Sequence, residues 1–149
     1  FMGSEIGNPF EWDHQGEVPF SLLDFPVHAG VMAWVTDLNR LYRANPALHI
    51  DDVRAEGFEW IAADDRLHSV IAFIRRAPAR PPVLVIANFT PEAWAEYRLG
   101  VPSGGVWTTL LCSDAARYGG SGVVPGDVVA DEHASHGRSH STELTVPPM

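Results

Sequence analysis

The chain has 149 residues, of which 46% are hydrophobic and 19% charged, and its formal net charge is -9. That length holds one domain, or one domain and a piece of another, and the composition suits a chain with a real core. The negative charge argues against nucleic acid and anionic membrane as partners, no apolar run is long enough to span a bilayer, and the single cysteine, Cys112, rules out an internal disulfide and points to a reducing, cytoplasmic setting.

In chain order, residues 1–7, FMGSEIG, start apolar and break into Gly, Ser and Glu, as the end of a buried strand entering a loop does. The chain opens on Phe1 rather than an initiator methionine, so upstream sequence, with any targeting segment, is expected to be missing. Residues 8–16, NPFEWDHQG, carry turn chemistry with Phe10 and Trp12 embedded, and residues 19–25 leave room for one helical turn. From His28 to His49, Val31, Trp34, Val35, Leu38, Leu41 and Tyr42 recur three or four apart and predict an amphipathic helix, with Asp37, Asn39, Arg40 and Arg43 facing outward. Asn45-Pro46 ends it, because the residue before proline is pushed out of the α region. The flanking segments offer the stripe no local core.

After Asp51 the periodicity changes. Residues 58–62 and 69–75 predict a hairpin turning at Asp64-Asp65-Arg66, and the nearly all-apolar run 83–89 predicts a central strand. Residues 94–99 and 106–111 alternate, residues 113–141 form a long Gly-, Asp- and His-rich connection, and residues 142–146 make a last short strand. Strands at this spacing, with Gly and Pro between them, indicate an antiparallel sandwich or barrel. Trp60 and Trp107 are expected to fill its core, the alternative being a surface platform for a sugar ring.

Chemistry-bearing residues are scattered. His133, His136 and His140 have a spacing that a helix brings to one face, but the serines and Gly137 around them favour a surface role over metal binding. Asp51-Asp52 and Asp64-Asp65 read as solvated turn residues. Glu5, Glu11 and Asp13 lie near one another in the first loop without forming a recognisable acid and nucleophile. No motif frames a serine nucleophile, and Gly119-Gly120-Ser121-Gly122 lacks the lysine of a phosphate-binding loop.

Several segments, in order, carry a resemblance. They are FMGSEIG with Glu11-Trp12, VTDLNRLYRANPALH, GFEWI at 57–61, ANFTP at 87–91, YRLGVP at 97–102, YGGSG at 118–122, and HGRSHS at 136–141 running into LTVPP. Together they resemble the C-terminal part of bacterial glycogen branching enzymes, of the alpha-amylase superfamily. The resemblance implies a mainly β chain. Residues 1–49 would be the last strand, loop and helix of a truncated (β/α)8 barrel, and residues 50–149 a C-terminal antiparallel β-sandwich whose last strand is truncated. The helix stripe would then pack on barrel strands that this chain lacks. The family transfers α-1,4-glucan segments to 6-hydroxyls by retaining transglycosylation, using carboxylates from earlier barrel strands. No catalytic residue, metal ligand or cofactor is therefore expected here, and the piece alone is expected to be inactive. Its partners would be an α-glucan such as glycogen or amylose and the missing barrel. The glucan contact is expected at Glu11, Trp12 and Asp13, because loops after barrel strands build the active face. The alternatives are that Trp12 anchors the loop on Leu22, Leu23 and Phe25, and that the chain is a non-catalytic sandwich that binds glucan or braces a barrel.

Overall fold

Local chemistry shapes the first third of the chain. The structure, a computed structural model, describes residues 1–11 and 13–149. The strand expected at 1–7 is replaced by a turn of 3-10 helix at Ser4–Ile6, flanked by Gly3 and Gly7 in the left-handed region. With no strand beside it among the described residues, this backbone bonds locally, as Ile6 N–H to Gly3 C=O at 3.1 Å shows. A second 3-10 turn spans Phe20–Asp24. Helix α1, Pro26–Ala44, starts two residues before the predicted stretch because Pro26 takes a first-turn position, where a missing N–H costs nothing. It stops where expected: the N–H and the side-chain amide of Asn45 both donate to Leu41 C=O, at 3.0 and 2.8 Å.

The rest is antiparallel β structure. Strands β1 (Phe58–Asp65), β2 (Val70–Arg75) and β3 (Val83–Asn88) form one sheet in that order. Strands β4 (Trp94–Val101) and β7 (His140–Val146) pair in a second sheet, and β5 (Gly105–Trp107) pairs with β6 (Val128–Ala130) in a third. Ala62, Val70 and Ala72 of the first sheet meet Tyr97, Leu99 and Val146 of the second, with Ile61, Ile86, Trp94 and Leu144 at the margins. This is sandwich packing, two apolar sheet faces closing on one core. β6 lies inside what reads in the sequence as a loop. β3 is an edge strand among the described residues, not the central strand its apolar run suggests.

Trp60 does not enter the core. It is 51% exposed and packs edge-on against Phe58 and Phe73 on the outer face of the first sheet. The cause is a register shift: Trp60 pairs with Phe73 but Ala62 with Ala72, so one extra residue intervenes. That bulge turns Ala62 inward and leaves Trp60 outward, although their spacing alone puts them on one face. Trp107 is half-buried, its indole N–H donating to Ser103 C=O at 3.2 Å.

Candidate functional site

The first loop is pinned at its base. The N–H of Asn8 donates to Gly3 C=O at 3.0 Å, and a Cβ on Gly3 would lie 3.0 Å from Asn8 Cβ and 3.4 Å from Val18 Cγ1. Gly3 therefore draws the two ends of the loop together. Residues 9–11 and 13–17 lie beyond that base and are exposed, Phe10, Glu11, Asp13 and His14 among them. This part is held by side-chain turns. Asn8 Oδ1 accepts from Phe10 N–H at 3.2 Å, and Asp13 Oδ1 accepts from Gln15 N–H at 2.9 Å. Both Glu11 and Asp13 thus lie on the exposed loop, while Trp12, and with it the proposed anchor on Leu22, Leu23 and Phe25, lies outside the described residues. Glu5 turns instead to the amino group of Phe1, at 2.9 Å.

Behind the loop, α1 docks on a segment more than seventy residues downstream. Trp34 meets Tyr118 edge to face at 5.2 Å, and Tyr118 Oη donates to Asp37 Oδ2 at 2.7 Å. Gly30 is buried at the same place, and a Cβ there would collide with the Tyr118 carbonyl. Asp37 therefore faces the sandwich rather than solvent, and the stripe is partly covered by this chain itself. The phenol of Tyr118, with Arg40 and Arg117, holds the Asp37 carboxyl below its ordinary value, while burial and the Asp37 bond raise the phenol. Arg117 also stacks over the Tyr118 ring at 4.6 Å.

The glycine-rich stretch 118–122 acquires its role here. Buried Asp114 accepts from Ser121 Oγ at 2.6 Å, Ser121 N–H at 2.7 Å and Val123 N–H at 2.9 Å, which closes the loop that presents Tyr118. Those bonds, Ser121 first, keep its carboxyl below the usual range.

Two acidic pairs that read as solvated turns are partly engaged. Asp51 is buried under Gly57, and Asp65 ends β1 in a network with His68 and Tyr97. Asp65 and His68 are three residues apart in one turn, but no sequence signal marks the network, because Tyr97 joins it from β4, 32 residues away. Among the described residues no group of three or more His, Cys, Asp or Glu could hold a metal ion. His136 accepts from Gly100 N–H at 3.3 Å, and His140 pairs with Ser139 at 3.0 Å, so the histidines of 133–140 do not converge. No helix is long and apolar enough to cross a membrane among the described residues.

Comparison with known proteins places this geometry. Residues 60–149 match the family model described as the alpha amylase, C-terminal all-beta domain. Over its whole length the chain is 51% identical to the 1,4-alpha-glucan branching enzyme GlgB of Cereibacter sphaeroides, covering 21% of that protein. It is likewise 51% identical to GlgB 2 of Rhizobium johnstonii and 49% identical to GlgB of Pseudomonas putida, covering 20% of each. The chain spans about a fifth of the length of the curated relatives it matches.

Proposed function

Since this chain belongs to the family of the alpha-amylase C-terminal all-beta domain, we propose that it is the C-terminal segment of a 1,4-alpha-glucan branching enzyme. The observation that carries this reading is the reach of the similarity. The match to the branching enzymes covers all of this chain, including residues 1–59 outside the family model, which hold the first loop and α1. In this reading residues 1–49 complete a (β/α)8 barrel and residues 50–149 are the sandwich that braces it. The parent is a cytoplasmic glycosyltransferase working by retaining transglycosylation, with its reacting carboxylates on the rest of the barrel.

The chain's own part in the reaction is to hold substrate. Glucose rings present an apolar face and a rim of hydroxyls; Trp12 stacks on the first, and Glu11 and Asp13 accept from the second. The exposure of Phe10, Glu11 and Asp13 on a loop pinned at Gly3 supports this assignment. The bracing role draws support from the Tyr118 seam, which locks α1 to the sandwich.

Expression with the upstream reading frame tests the proposal. The extended protein should branch amylose, read as loss of iodine colour and gain of α-1,6 linkages, and the 149-residue chain should not. Branching by the short chain alone, or an upstream frame without barrel repeats, overturns it. In the extended enzyme Trp12→Ala should slow branching at unchanged Tm; a wild-type rate and affinity would move the glucan contact elsewhere.

A further inference from the structure

A cleft of about 300 Å³ opens between the β1–β2 turn and the start of β4, lined by Asp65, His68, Trp94, Glu96, Arg98 and His136, with Tyr97. We propose that this cleft is a second saccharide-binding site, on the sandwich itself. Its chemistry fits a neutral polyhydroxyl ligand, and the assignment of that ligand as an α-glucan rests on the reading above.

The floor is preorganised. Tyr97 Oη donates to Asp65 Oδ2 at 2.7 Å, and the same carboxylate accepts the N–H of His68 at 3.1 Å and its Nδ1 at 2.8 Å. Burial raises the Asp65 carboxyl, but the bonds from Tyr97 and His68 outweigh it and hold it ionised. With Nδ1 donating to Asp65, Nε2 of His68 is an acceptor in the neutral ring and a donor in the charged one, and it has no partner among the described residues, so it is open to a hydroxyl in either form. Trp94 donates its indole N–H to His68 C=O at 3.0 Å, and the two rings meet at 4.9 Å and 83°. Its ring is therefore locked in orientation, as a stacking surface must be.

The rim is built by strained backbone. One extra residue lies between Trp94 and Tyr97 in the pairing with β7, and Glu96 in that bulge has φ 54°. His136, on the opposite rim, has φ 50°, and Ser69, next to His68, has φ 52°. L residues adopt such angles at a cost, and those that persist concentrate where a side chain is being aimed. Glu96 makes no hydrogen bond or ion pair among the described residues, so its carboxylate is available. Arg98, by contrast, is held by Ser141 at 3.0 Å and Glu143 at 2.5 Å. With Arg98 and Asp65 both already paired, the cleft has little net cationic pull. An aromatic wall, the open carboxylate of Glu96, an open imidazole nitrogen and a compensated guanidinium suit a sugar face and its hydroxyls better than an anion.

The test is titration of the ¹⁵N-labelled 149-residue chain with maltoheptaose, followed by NMR. The Trp94 indole, His68 and Glu96 should shift together. Glu96→Gly, which relieves the left-handed strain, should raise Tm yet weaken binding about tenfold. Trp94→Leu should abolish binding, and because Glu96→Gly is expected to fold better than the wild type, the test does not hang on the fate of Trp94→Leu. Full-strength binding by Glu96→Gly, or shifts confined to Trp60 and Phe73, overturns the site. Competition by inorganic phosphate overturns the neutral-ligand chemistry. Binding of cellohexaose but not maltoheptaose upholds a saccharide cleft while removing the α-glucan assignment.

Discussion

Residues 1–57 and residues 58–149 are stabilised in different ways. In the first segment Ile6 and Ala47 are the only buried apolar side chains among the described residues, and its backbone bonds are mostly local turns and one helix. In the second, strands far apart in sequence close on a shared core. The first segment is a set of locally formed parts; the second makes its own interior. The flank of α1 beside the Tyr118 contact shows this, with Val27 62% and Tyr42 47% exposed. Arg75 ties the end of the first segment to β2, bonding Asp52 at 2.6 Å and Gly57 C=O at 3.1 Å, but the seat of α1 itself is Tyr118, so the fate of the helix depends on it.

The largest effect that sharpens the contrast is expected in the sandwich. Leu99 is fully buried between the sheets, and Leu99→Ala should cost about 2–5 kcal/mol in denaturant unfolding. Helix α1 should be lost in the same transition, since its seat on Tyr118 goes with the sandwich. A helix that outlasts the β structure would show that the first segment folds unaided.

Gly30→Ala attacks the tie directly. The new Cβ meets the Tyr118 carbonyl, a backbone atom that cannot swing aside, so a cost of about 1–3 kcal/mol is expected. Hydrogen exchange should then accelerate in α1 while β2 stays protected. In the unmodified monomer α1 should already exchange faster than β2, and equal protection would break the comparison.

Trp60→Ala should cost only about 1 kcal/mol, well under the 3–5 kcal/mol of a buried tryptophan, because half of the ring is already in water. A several-kcal/mol loss would put Trp60 in the core after all.

The smallest effect is the pH response of the tie. The carboxyl of Asp37 is lowered from 3.8, so its contribution is complete above that value and lost as pH falls through the depressed one. The phenol of Tyr118 is raised from 10.0, so its contribution holds below that value and fades at higher pH. Protection of α1, taken relative to the intrinsic exchange rate at each pH, should therefore be greatest between these limits and fall outside them, and Tyr118→Phe should flatten both arms. A profile unchanged by that substitution would assign the pH response to other groups.

What the sequence discloses follows from where its signals reside. The end of α1 was legible because Asn45-Pro46 acts on its own backbone, and β2 because its period spans only a few residues. Tyr118 and Asp37 lie 81 residues apart, and helical periodicity names a face without naming what covers it. The alternation of β1 placed Phe58 and Trp60 together correctly, but the bulge before Ala62 reversed which side is the interior. Of the candidate site, Glu11 and Asp13 lie exposed on the loop where the sequence puts them, with their glucan contact a proposal, whereas the Asp65–His68–Tyr97 network was invisible because it exists only once β4 brings Tyr97 to the β1–β2 turn. The run at β3 spoke of burial on both sides, and that reading misjudged its place at the sheet's edge.

That edge has a consequence for the chain in solution. β3 reads Val-Leu-Val-Ile-Ala-Asn, six residues with no charge and no proline, and its outer row of amides and carbonyls has no strand beside it among the described residues. Such a strand is a template for another copy of itself, and stacking copies in register is the route to cross-β fibrils. At high concentration the chain should nucleate thioflavin-positive aggregates through β3, and Val85→Lys should suppress them by placing a charge on the strand. Aggregation undiminished by Val85→Lys would locate the fibril-forming segment elsewhere.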